Sequence, residues 1–101
     1  MTEYISRLQV VIKRLYGLDS AHVSTTPIVE TFGGKIVWQG DVETFSIRGH
    51  PKAKRCFAWS YQDESGKEQF TAVLELPPVD SELSAVRAAL IAQVKNERKE
   101  T

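Results

Sequence analysis

The chain predicts an α+β fold of order α-β-β-β-β-α: an antiparallel meander sheet with one helix before it and one after it. Three observations predict this. Apolar residues at three- and four-residue spacing open the chain and close it. Between these stripes, β-branched and aromatic runs alternate with turn signals at Gly33-Gly34, Gly49–Ala53 and Asp63–Lys67. Turns that short make successive strands antiparallel neighbours.

The first helix is expected from about Glu3 to Tyr16. Tyr4/Ile5, Leu8, Val11/Ile12 and Leu15/Tyr16 form its apolar stripe, and Gly17 supplies the stop. Leu18 to Ser24 reads as a loop, in which Asp19-Ser20 can cap a single helical turn. The first strand follows, from about Thr25 to Phe32. Pro27 cannot donate to a ladder, which puts this strand at an edge or Pro27 at a strand start. Gly33-Gly34 is a hairpin signal, and the second strand runs from about Lys35 to Ile47. Its pattern changes phase: Ile36, Trp38 and Val42 share one parity, Phe45 and Ile47 the other. A bulge or bend at Gly40-Asp41 accounts for the change.

The third strand is expected from about Lys54 to Gln62, and the fourth from about Glu68 to Leu76 with Phe70, Ala72, Leu74 and Leu76 on one face. Pro77-Pro78 ends the sheet. Asp80 or Ser81 caps the second helix, which runs to about Glu97 on a stripe of Leu83, Val86, Leu90 and Val94. Lys95, Arg98 and Lys99 suit its C-terminal dipole, and the tail beyond it is expected to fray. Both helices bury their stripes most economically on one face of the sheet. The third strand offers two sets of side chains, small Cys56/Ala58/Ser60 and large Phe57/Trp59/Tyr61. Either set can face the helices.

With 101 residues the chain is read as a single domain, 1–101. Its 42% hydrophobic and 26% charged residues are those of a globular protein. Thirteen basic and thirteen acidic residues cancel, which argues against a dedicated nucleic-acid binder. No apolar run is long enough to span a membrane, and the first residues lack the charged and apolar regions of a signal peptide. Cys56 is the only cysteine. These features fit a cytoplasmic protein.

Three groups of residues are candidate sites. The aromatic row Phe57, Trp59 and Tyr61, joined by Trp38, is either core or an interaction face. An uncovered sheet face is commonly hidden by dimerisation, so a homodimer or a protein partner is the expected use of such a face. Arg48, His50, Lys52, Lys54 and Arg55 cluster at one turn, as a solvated hairpin or an anion site. His22 and His50 are the candidate bases or ligands, with Asp41, Glu43 and Glu75 as carboxylates. Two separated histidines and one cysteine do not make a metal pattern, and neither a catalytic constellation nor a cofactor motif is present.

Two resemblances bear on this. Two helices and an antiparallel sheet are the layout of the double-stranded-RNA-binding domain. Here, however, Gly49-His50-Pro51-Lys52 stands in the wrong order for that family's loop, and the last helix opens with acidic Asp80-Ser81-Glu82 where the family is basic. The runs Val37-Trp38-Gln39-Gly40-Asp41-Val42-Glu43, Gly49-His50-Pro51-Lys52-Ala53-Lys54 and Leu76-Pro77-Pro78-Val79-Asp80 resemble a family of small bacterial α+β proteins with no assigned activity. That resemblance spans most of the chain and implies no site residue.

The sequence therefore predicts a non-catalytic interaction or accessory protein that self-associates or docks a partner through Trp38, Phe57, Trp59 and Tyr61. The alternative is a small-ligand-binding domain, extending to an enzyme. Its pocket would lie between sheet and helices, with His50 or a carboxylate at the mouth.

Overall fold

A computed structural model describes the backbone of residues 2–100 and the side chains of residues 3–92. The order is α1 (Thr2–Tyr16), β1 (Asp19–Phe32), β2 (Lys35–Arg48), β3 (Arg55–Gln62), β4 (Glu68–Leu74) and α2 (Glu82–Glu100). The strands form one antiparallel sheet in the order β1-β2-β3-β4, the expected meander, with β1 and its Pro27 at an edge. Val94, Lys95, Arg98 and Lys99, assigned above to the end of the last helix, lie outside the described side chains.

The element ends follow local chemistry. Gly17 closes α1 with φ near 70°, its N–H bonded to the Lys13 carbonyl at 2.8 Å. Gly33 and Gly34 both take positive φ, which a tight hairpin of this twist requires. Ser81 caps α2: its Oγ accepts from the Ser84 N–H at 3.2 Å, and Ser84 Oγ accepts from the Ser81 N–H at 2.9 Å. The β3–β4 turn closes around Asp63. Bonds from the Ser65 and Gln69 side chains and the Lys67 amide hold its carboxyl down at about 2.

Three expectations need correction. The segment read as a loop from Leu18 to Ser24 is strand from Asp19 onward. Its residues are poor strand formers, but Asp19 to His22 pair with Arg48 to Phe45 of β2, and Leu18 is buried in the core. The bulge is not at Gly40-Asp41, where pairing to Ile28 and Pro27 is regular. Register instead slips opposite Glu30/Thr31, where Val37 is extra, and between His22 and Ser24, where Val23 is extra. Gly40 has a different reason: a Cβ there would meet the Trp38 indole at 3.0 Å, so the missing side chain lets the ring lie over the strand.

The helices do not share a face of the sheet. Leu8 and Ile12 of α1 pack on Phe45, Ile47, Cys56, Ala58 and Ala72, whereas Val86 and Ala85 of α2 pack on Val42, Phe57 and Trp59. Along β3 these sets alternate, so they lie on opposite faces of the sheet. The phase change along β2 has the same origin, because Val42, Glu43, Thr44 and Phe45 are all buried, two toward each helix. Cys56, on the α1 side, is fully buried and its thiol is pushed up to about 12 by that burial, so it is a small apolar core residue.

α2 is tied along β1. Glu82 accepts from Thr26 and Thr44 at 3.2 and 3.3 Å, and Arg87 pairs with Glu30 one turn on. That pairing holds the Glu30 carboxyl below the usual range.

Candidate functional site

The site begins where the sheet comes apart. β2 and β3 pair only from Glu43↔Ala58 to Ser46↔Arg55, although β3 continues to Gln62 and β2 reaches back to Lys35. Beyond Ala58 the next N–H directed toward β2 is that of Ser60, and Asp41 does not take it. The hydroxyl of Tyr4, from the first turn of α1, accepts it at 3.1 Å and lies 3.2 Å from Ser60 Oγ. A side chain thus replaces a strand at the fork, because an unsatisfied backbone donor there would cost about 1–3 kcal/mol.

On the α1 side the fork opens into a cleft of about 930 Å³, lined by Tyr4, Ile5, Gln9, His22, Glu43 and Ser60, with Ser6, Thr25 and Asp41 at its border. Glu43 is its most unusual member. Its side chain is only 5% exposed, on a strand face that otherwise carries Phe45 and Ile47. His22 Nε2 lies 2.8 Å from Oε1, and Thr25 Oγ1 donates to the same oxygen. An ionised carboxylate only accepts, so Nε2 carries the proton that bridges the pair. The His22 ring stands edge-on to Phe45 with centroids 5.4 Å apart, which fixes its orientation. Among the described residues no bond reaches Glu43 Oε2. A carboxylate this deep needs compensation, and both described bonds are directed at one oxygen.

A second cleft of about 630 Å³ lies on the other face, between α2 and the end of the fork, lined by Trp38, Trp59, Tyr61, Val73, Val86 and Leu90 among others. Trp38 and Trp59 meet edge to face there, 5.8 Å between centroids. Among the described residues it brings no acidic or basic side chain to a ligand.

The residues singled out by sequence scatter between these places. Phe57 is fully buried and Trp59 nearly so, both beneath α2; they are core, not an open platform. Trp38 is half-buried at the rim, and Tyr61 is 37% exposed. The basic turn is partly spent on its own structure. His50 Nδ1 accepts from the Lys52 and Ala53 amides at 3.0 and 2.8 Å, and Arg55 pairs with Glu75 while lying over the Phe57 ring. Arg48, Lys52 and Lys54 are exposed beside it. His50 is therefore not at the mouth of either cleft. Of the three candidate carboxylates, Asp41 is exposed, Glu75 is paired with Arg55, and Glu43 is buried. Tyr4, Gln9 and Ser60 carried no signal as site residues: Tyr4 reads as one more stripe position, and only the fork gives it a partner.

Among the described residues no three His, Cys, Asp or Glu side chains converge as metal ligands, and no helix is long and apolar enough to cross a membrane. No family model, curated protein or solved structure matches the chain.

Proposed function

We propose that this protein is a small-molecule-binding domain whose ligand sits in the α1-side cleft at the β2–β3 fork. The observation that carries the reading is Glu43: a carboxylate only 5% exposed in the lining of a ligand-sized open cleft, with one oxygen engaged by His22 and Thr25 and the other reaching solvent without a described partner. Burial of a charge in a sheet interior is costly, and residues are rarely kept so without a counterpart. The opposite cleft supports the reading less well, having no charged group among its described residues to orient a ligand. A fragment screen followed by amide chemical shifts of the labelled chain tests it. Hits are expected to shift Tyr4, Gln9, His22, Glu43 and Ser60, and Ser6→Trp, placed at the border, is expected to abolish those shifts. Hits confined to the Trp38/Trp59 side, or a cleft that takes none, overturn it.

A second reading keeps self-association but moves it. With Phe57 and Trp59 buried, large apolar side chains stay exposed on both faces of the β1–β2 hairpin end: Phe32, 81% exposed, on one face, and Ile36, 60% exposed, with Val29 on the other. Light scattering across a dilution series is expected to show a concentration-dependent mass that Phe32→Ser removes. A monomer at every concentration ends this reading.

A further inference from the structure

We infer that the ligand of the α1-side cleft is an organic cation bearing several N–H donors, an ammonium or guanidinium compound. This rests on the ligand-binding reading above and names its chemistry. The inference comes from which hydrogen-bonding groups the lining has left to offer.

Glu43 offers Oε2, an acceptor with a full share of negative charge, since His22 and Thr25 both address Oε1. His22 turns Nε2 to Glu43 and has Nδ1 left for a ligand, an acceptor in the neutral ring and a donor in the charged one. Gln9 has one amide N–H bonded to the Ser20 carbonyl at 2.8 Å, which leaves its carbonyl oxygen and its second N–H. The Thr25 hydroxyl has given its proton to Glu43 and retains lone pairs. Asp41 adds a second carboxylate at the exposed border. The Tyr4 and Ser60 hydroxyls share one hydrogen bond, which leaves one O–H between them to donate. Among the described residues no Lys or Arg lines the cleft.

The carboxylates Glu43 and Asp41 are thus the strongest acceptors of the described lining. A phosphate or carboxylate ligand meets like charge there, with no Lys or Arg among the described lining residues to offset it. A neutral polyol satisfies acceptors but leaves the Glu43 charge uncompensated. A metal ion wants more ligands than the described side chains bring together. An ammonium or guanidinium group brings positive charge and several donors at once, and charge-assisted bonds to a buried carboxylate are the strong ones.

The test uses the full chain, isotope-labelled, with agmatine as the cationic probe, sorbitol as the neutral one and magnesium chloride as the metal. Agmatine is expected to shift the Tyr4, His22, Glu43 and Ser60 amides saturably, and added salt is expected to weaken it. Glu43→Gln is expected to weaken it by about tenfold or more, the loss of one charged hydrogen bond. Asp41→Asn is expected to weaken it by about twofold to fivefold, as for a partly screened charge. Asp41 is exposed, so that variant carries the test should Glu43→Gln not fold. Binding of sorbitol without agmatine overturns the cation and leaves the cleft standing. Binding of magnesium alone overturns the organic class. Shifts from none of the three, or agmatine binding indifferent to both variants, overturn the inference.

Discussion

Phe57→Ala is expected to destabilise the protein by about 3–5 kcal/mol, the range for emptying a buried aromatic site. For a domain of this size that is a large part of a total of about 5–15 kcal/mol, and it lowers the melting temperature by tens of degrees or prevents folding. Phe57 is fully buried between Val42, Val79 and Val86, with α2 closing the site from outside. If the aromatic face of β3 were open, the same truncation would change stability by no more than about 0.5 kcal/mol and act on association instead. Urea unfolding separates the two. A large fall in midpoint at unchanged slope supports burial under α2, and an unchanged midpoint excludes it.

Leu8→Ala is expected to cost about 2–5 kcal/mol, comparable to Phe57→Ala although it lies on the far side of the sheet. Leu8 is fully buried against the small side chains of β3, where Cys56 and Ala58 let α1 approach closely. Val10, two positions on, is half exposed, and its truncation is expected to stay within about 0.5 kcal/mol. Two large effects from opposite faces mean that neither layer is an accessory to the other. Calorimetry of Leu8→Ala should still show one transition; two separated transitions would mean that the layers melt independently.

Element order and most boundaries were legible because they depend on local signals: the stripe of α1, the positive-φ glycines of the turns, the Ser81 cap. The layering was not, for a reason visible in β3. Its alternation of small and large side chains reads equally well either way up, and the answer was that both faces are covered. β2 held the clue. Four consecutive buried residues, Val42 to Phe45, fit a strand covered on both sides better than a bulge at Gly40. The site was legible only in part. His22 and Glu43 are visible as titratable residues, but they are 21 positions apart and meet only because β1 begins earlier than its composition suggests. Tyr4 and Ser60 are 56 apart, and their bond exists only because two strands separate.

That separation also sets how the protein opens. β1–β2 and β3–β4 are joined edge to edge over only four residue pairs, while each hairpin is paired along most of its length. Hydrogen exchange should therefore divide by hairpin and not by distance from the surface. The amides that face across the seam, among them those of Phe45 and Ser60, become accessible in openings that leave each hairpin zipped, and the two ladders exchange as separate cooperative units.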